Sequence, residues 1–179
     1  MTMEIIKQLG LMATPLIFCS VAVMAIILER IVYFALDKKR FQNNSDDLKK
    51  MLKTHKNHAK PLRDEFVSIA LSQMKADYHK GVKLLRVIGT IAPLMGLLGT
   101  ILGIIKAFQK IASTTTHVSP NLIADGLWEA MLTTAVGLMI AIPALLFAYF
   151  FSTIAVQRLQ KLSFALNQDS LNIEIEKNR

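Results

Sequence analysis

Residues 92–104 read APLMGLLGTILGI and residues 129–143 read EAMLTTAVGLMIAIP, two apolar stretches with regularly spaced small residues. Small residues recur at steps of three or four, which places them on one face of a helix. The first stripe is Gly89, Ala92, Gly96, Gly99, Gly103 and Ala107, and the second is Gly126, Ala130, Thr134, Gly137, Ala141 and Ala144. Such stripes let helices approach closely in lipid. We expect a tight hairpin or an oligomer seam, packed through Gly96, Gly99, Gly103 and Gly137.

These stretches belong to two of three long runs without charged residues, at positions 8–28, 87–105 and 130–157. A bilayer core about 30 Å thick needs roughly 20 helical residues, so each run is long enough to span it. Helices satisfy their own backbone hydrogen bonds, as hydrocarbon requires. We expect the first run to be retained as a span, because its apolar residues continue through Ile27 and Leu28. The sequence thus predicts an all-α integral membrane protein with three transmembrane helices.

The charge distribution predicts the orientation of these spans. Between Glu29 and Arg86 there are 14 Lys or Arg against 7 Asp or Glu, and basic loops stay on the cytoplasmic side. Within this loop, Leu62, Phe66 and Ile69 have the spacing of an amphipathic helix that packs near the membrane. The predicted segments are an outer N-terminus 1–8, a first span 9–28, a cytoplasmic basic loop 29–86, a second span 87–111, an outer turn 112–119, a third span 120–157 and a cytoplasmic tail 158–179.

The net charge of +8 raises the question of nucleic-acid binding. The basic residues lack interleaved aromatic residues and crowd the span edges, so contact with anionic lipid is the simpler explanation. Cys19 is the only cysteine, which excludes an intramolecular disulfide and a multi-cysteine metal site. No nucleotide loop, catalytic triad or metal constellation occurs. We therefore expect neither an enzyme, a cofactor nor a metal site.

Glu129 is the residue on which a functional interpretation depends. Ser119 followed by Pro120 is a helix start signal, which puts Glu129 roughly 13 Å along the third helix. A carboxylate at that depth is costly to keep charged, and it can take up and release a proton when water or a partner approaches. The alternative is an interfacial glutamate beside Trp128, because aromatic residues mark membrane interfaces. These residues alone leave both open.

Two threonines and two prolines within the spans also allow two interpretations. Thr100 and Thr134 lie on or beside the small-residue stripes, where each hydroxyl either bonds back to a carbonyl one turn earlier or lines a conducting path. Pro93 and Pro143 each remove a backbone hydrogen bond and predict a helix kink.

Taken together, the A-P-x-x-G-x-x-G-T pattern from Ala92 and the E-A-x-x-T-T-A-x-G-L pattern from Glu129, followed by A-I-P at 141–143, resemble the signature spans of the ExbB/TolQ/MotA proton channel family, and ExbB most closely. The resemblance covers all three spans. The loop between the first two spans is shorter here than in the best-known members, which implies a smaller cytoplasmic part.

The resemblance implies a ring of five copies in a bacterial inner membrane, with a periplasmic N-terminus and a cytoplasmic C-terminus. The ring surrounds an ExbD-like single-span subunit, and a TonB-like protein passes energy to the outer membrane. Thr100 and Thr134 then match threonines that face the partner's protonatable aspartate, and Glu129 matches the family's intramembrane glutamate. The implied function is a proton-motive-force-driven motor that energises outer-membrane transport. A TolQ-like subunit for envelope maintenance and a passive membrane scaffold are the alternatives.

Overall fold

The computed structural model describes residues 12–54, 60–113 and 120–177, and they form four α-helices. They are α1 (Ala13–Thr54), α2 (Lys60–His79), α3 (Val82–Ala112) and α4 (Pro120–Lys177). No strand occurs within the described ranges. The predicted N-terminal segment 1–8 and positions 114–119 of the predicted outer turn, including Ser119, lie outside the described residues.

Three helical stretches of the described chain are long and apolar enough to cross a membrane: Ala13–Leu36, Val82–Ala112 and Gly126–Glu176. Large apolar side chains on them remain exposed, among them Phe18 at 75% and Met139 at 73%. Soluble monomers rarely expose such extended apolar surfaces, whereas lipid solvates them. The chain is therefore an all-helical membrane protein with three candidate spans.

Two of these helices run beyond the charge-free sequence. α1 continues to Thr54 and α4 to Lys177. Neither 29–54 nor 158–177 contains Gly or Pro, and both are rich in Lys, Leu and other good helix formers. Charge limits how much of a helix lies in lipid but does not end the helix.

The chain divides into two compact units, to which α1 and α4 both contribute. The first, here called the apolar unit, combines the residues up to Ile27 with Leu84–Ala148. The second, called the charged unit, combines Leu28–Lys83 with Tyr149–Arg179.

The charged unit packs α1, α2 and the end of α4 around the cluster of Leu52, Val67, Leu162 and Leu166. Arg63 is 1% exposed, and its Nη2 donates to Glu174 Oε2 at 2.6 Å. A buried guanidinium requires such a partner.

The apolar face predicted for α2 is not the face that packs inside the charged unit. Leu62, Phe66 and Ile69 are 41%, 54% and 50% exposed, while α2 buries Arg63, Val67 and Tyr78. Arg63 and Val67 are four residues apart, so they share one face, and the ion pair with α4 turns that face inward.

α2 ends at a left-handed glycine. Gly81 has a φ of 73°, a conformation that costs L-residues energy, and Lys80 N donates to Ala76 O at 3.1 Å. The side chain of Arg30 packs over this turn and donates to Asp77 O at 3.4 Å. α3 then starts at Val82.

Candidate functional site

The apolar unit is built on backbone contact between α3 and the first part of α4. A Cβ added to Gly137 would lie 2.7 Å from Ala92 O and 3.2 Å from Gly96 Cα, and one added to Gly96 would lie 3.0 Å from Thr134 Cα. A Cβ added to Gly103 would lie 3.0 Å from Ala130 Cβ. Only glycine allows main chains this close. The facing pairs run in opposite directions along the two helices, so the helices are antiparallel.

Thr133 fills the space that a glycine leaves in this seam. A Cβ on Gly99 would lie 2.6 Å from Thr133 Oγ1 and 2.8 Å from Thr133 Cβ. Thr133 is 2% exposed, and its hydroxyl donates to Ala130 O at 2.7 Å. The hydroxyl proton of Thr133 is therefore used in a hydrogen bond within its own helix, while its oxygen can still accept a hydrogen bond.

Glu129 is half-buried and lines a small cleft of the apolar unit. The other lining residues are Met12, Gly99, Leu102, Gly103, Lys106 and Thr133. The cleft volume of about 10 Å³ lies at the lower limit for one water molecule, about 10–15 Å³. Trp128, the adjacent residue, is 61% exposed. The polar residues that line this cleft are Glu129, Lys106 and Thr133.

The two predicted threonines use their hydroxyls differently. Thr100 donates to Leu97 O at 2.6 Å, a bond within α3, and the side chain remains half-buried. Thr134 donates at 3.0 Å to Gly96 O, which joins α4 to α3. Neither lines the cleft with Glu129. Thr134 thus adds an interhelical hydrogen bond to the seam, whereas Thr100 satisfies its donor locally.

Both predicted prolines lie inside helices that continue past them. Pro93 is within α3 and Pro143 within α4. Each lacks an N–H and so leaves the carbonyl four residues earlier, that of Gly89 or Met139, without its helical partner. Ala92, which precedes Pro93, directs its carbonyl toward Gly137 across the seam. Both prolines are half-buried.

Sequence reasoning missed Thr133, Lys106 and Met12 as neighbours of Glu129. The signal for Thr133 was present, because it follows Glu129 by four residues and shares its helix face, whereas Thr134 is displaced by one position. Lys106 could be predicted as a neighbour only by aligning the small-residue stripes of the two helices in antiparallel register. In that register the turn after Gly103, which contains Lys106, faces the turn before Ala130, which contains Glu129. Nothing local to Met12 reveals its place in the cleft.

The chain is similar to one known family and to several known proteins. A family model described as the MotA/TolQ/ExbB proton channel family matches residues 26–163. The chain is 36% identical over 197 residues to the biopolymer transport protein exbB1 of Vibrio cholerae, covering 94% of this chain and 86% of that protein. It is 41% identical over 96 residues to the biopolymer transport protein ExbB of Xanthomonas campestris, covering 51% of this chain and 38% of that one. The corresponding protein of Salmonella typhimurium is 47% identical over 66 residues, which are 36% of this chain and 26% of that protein.

Proposed function

This chain belongs to the MotA/TolQ/ExbB proton channel family, and we propose that it is an ExbB-like subunit of a proton-motive-force-driven complex that energises transport across the outer membrane. Its three apolar helices and its family identify it as an inner-membrane protein. The names of its relatives, biopolymer transport proteins, support a transport role. The proposed partners are an ExbD-like single-span subunit and a TonB-like protein, and five copies of this chain form the ring.

The position of Glu129 carries this proposal. Glu129 is half-buried, lines a cleft with Gly99, Gly103 and Thr133 of the seam, and lies directly before the charge-free run 130–157. Placing an ionisable side chain in a lipid-spanning helix is expensive, so such residues generally serve ion or proton movement. A scaffold held by small-residue stripes would gain nothing from this carboxyl group.

The proposed proton pathway includes Glu129, Thr100 and Thr134. Thr100 and Thr134 are each half-buried, so each retains surface for a helix of the partner subunit. Their hydroxyl groups donate to Leu97 O and Gly96 O, and each hydroxyl oxygen can still accept a hydrogen bond from a partner's carboxylic acid. Protonation and release at this surface would convert proton flow into movement of the complex.

In the proposed orientation the N-terminus is periplasmic and the charged unit is cytoplasmic. The surplus of Lys and Arg in segment 29–86 supports this direction. Basic residues near the ends of the spans, such as Lys83, Arg86 and Lys161, are exposed and suited to contact anionic lipid. The proposed segment limits are those given by the sequence, with spans at 9–28, 87–111 and 120–157.

Replacing Glu129 tests the proposal. In cells that lack the native protein, Glu129→Ala and Glu129→Gln should abolish energy-dependent uptake, while crosslinking of the ring is retained. Asp47→Ala is the matched control, because it removes an exposed carboxylate of the charged unit and should leave uptake intact. Normal uptake in both Glu129 variants would favour the passive scaffold. Measuring detergent sensitivity of the envelope in the same strains separates an ExbB-like role from a TolQ-like role.

A further inference from the structure

The charged unit has an apolar groove on its surface, between α1 and α2. Leu48 and Leu52 of α1 and Phe66, Ile69 and Ala70 of α2 form most of its wall. The groove has a volume of about 320 Å³, which lies within the range of pockets that hold ligand groups, about 300–1,000 Å³. This α1–α2 groove is therefore large enough and apolar enough to receive a side chain from another helix.

A second exposed apolar surface runs along the tail of α4. Phe164, Leu171 and Ile175 are exposed, Phe164 at 73%, and their spacings of seven and four residues place them on one helix face. Gln160 and Gln168 are exposed on the same face, so none of these five residues is charged. A helix that docks in a groove uses anchors at such spacings. We call Phe164, Leu171 and Ile175 the α4 ridge.

Hydrogen bonding and packing set the level of α2 along α4. Ser170 Oγ donates to Asp64 Oδ1 at 2.8 Å, so the start of α2 lies beside this part of the α4 tail. Val67 and Leu166, each one turn closer to the middle of the charged unit, belong to one buried cluster. The two helices therefore run in opposite directions, and positions 66–70 of α2 are level with positions 163–168 of α4. The α1–α2 groove and the α4 ridge thus lie at the same level of the charged unit.

This level lies beyond the lipid in the proposed orientation. The third span is proposed to end at Gln157, and Phe164 follows it by seven residues, which is about 10 Å of helix. Each headgroup layer of a bilayer adds only about 5–7 Å to the hydrocarbon core. Water therefore faces the groove and the ridge of a single copy. Apolar surfaces in water gain free energy when a protein partner covers them.

We propose that the α4 ridge of one copy docks in the α1–α2 groove of the neighbouring copy, with Phe164 beside the neighbour's Ile69. Rotation about a ring axis parallel to α4 leaves each level along that helix unchanged, so a ridge meets a groove of equal level. The two surfaces are different, so each copy offers the groove to one neighbour and the ridge to the other. Such a heterologous contact can close into a ring. The inference rests on the proposed function for the ring and adds the surfaces that hold its charged units together.

Disulfide crosslinking of the full chain in lipid vesicles tests this contact. The purified chain is the only protein present, and every variant also carries Cys19→Ser, because Cys19 is the native cysteine. On oxidation, Ile69→Cys/Phe164→Cys should give dimers and a ladder of larger species that reductant removes. A disulfide requires Cα atoms within about 7 Å, so the ladder reports that the two positions are level. Both positions are exposed, so the replacements leave the buried cluster intact.

Ile69→Cys/Ile175→Cys is the matched control. Ile175 belongs to the same ridge but lies eleven residues, or about 16 Å, from Phe164, so this pair should give no dimers. The two single-cysteine variants should also give none, because neither position meets its own counterpart in a heterologous contact.

Three results would overturn the inference. One is the absence of a ladder in Ile69→Cys/Phe164→Cys, and protection of Ile69→Cys from a water-soluble maleimide would then identify lipid as the cover. The second is an equal ladder in Ile69→Cys/Ile175→Cys, which indicates random collision. The third is dimers in a single-cysteine variant, which indicate a two-fold contact. The proposed function fails separately, through normal uptake in the Glu129 variants, and the crosslinks would then persist in a ring without a motor.

Discussion

Gly137→Ala provides a direct test of the seam between α3 and α4. The new Cβ would lie 2.7 Å from Ala92 O and 3.2 Å from Gly96 Cα. Both atoms belong to the main chain of α3, so no side-chain rotation relieves the clash. Ordinary contact begins at 3.4 Å, and the helices must separate by about 0.7 Å at this point.

The expected cost combines three effects. Overpacking a well-filled contact costs about 1–3 kcal/mol. Separation also lengthens the bond from Thr134 Oγ1 to Gly96 O, now 3.0 Å, and an interhelical hydrogen bond in a membrane contributes about 0.6 kcal/mol. Alanine also stabilises the helix by about 1 kcal/mol relative to glycine, because its helix propensity is higher. The net loss in free energy of unfolding should be about 0.5–2.5 kcal/mol.

Gly89→Ala is the matched control, because it makes the same chemical change on α3. Its Cβ would meet the side-chain atoms Leu145 Cγ at 2.7 Å and Cδ2 at 2.8 Å, while the nearest main-chain atom, Leu145 N, lies at 3.3 Å, close to ordinary contact. Leu145 is 41% exposed, so its side chain can adopt another rotamer. This variant should be neutral or gain up to about 1 kcal/mol.

Unfolding of the purified chain in mixed micelles by rising sodium dodecyl sulfate, followed by ellipticity, measures both variants against the unmodified protein. The reasoning would be refuted if Gly137→Ala were as stable as the unmodified chain. An equal loss in Gly89→Ala would refute it too, because the clash would then owe nothing to rigid main-chain atoms.

Three further changes probe the charged unit by the same unfolding assay. Glu174→Ala removes this partner from the 0%-exposed side chain of Arg63 and should lower the free energy of unfolding by about 3 kcal/mol. The double variant Arg63→Met/Glu174→Leu should regain most of that loss. No recovery in the double variant would contradict the ion-pair explanation. Gly81→Ala should lower the free energy of unfolding by about 1–3 kcal/mol, because alanine would have to adopt the positive φ of this glycine. Gly81→Asn should lose less, because asparagine tolerates a positive φ better than alanine. Leu166→Ala, at a 0%-exposed site, should lose about 2–5 kcal/mol, and a loss below 1 kcal/mol would mean that the cluster is not packed as described.

The sequence predicted the helical spans and the small-residue seam because both follow from local composition. Hydrophobic length identifies a span, and spacing at three and four identifies a contact face. The helix limits were harder. α1 continues to Thr54 because residues 29–54 contain nothing that ends a helix, although their charge ends the lipid-soluble run.

Non-local contacts account for the features that the sequence did not reveal. The spacing of Leu62, Phe66 and Ile69 predicted an apolar face of α2 near the membrane, but it could not reveal that Arg63 pairs with Glu174, over 100 residues away. An ion pair between residues 111 positions apart leaves no periodic signal in the sequence of either helix. Likewise, only the antiparallel register of the two helices places Lys106 at the cleft that Glu129 lines.

The packing and functional interpretations of the small-residue stripes are compatible. Gly99 and Gly103 bring α3 against Thr133 and Ala130, and the same two glycines line the cleft that holds Glu129. A larger residue at either position would fill the space beside the carboxyl group as well as separate the helices. Close packing of the two helices therefore also sets the space beside Glu129. A Cβ at Gly99 would lie 2.6 Å from Thr133 Oγ1, so glycine at this position serves both the helix packing and the space beside Glu129.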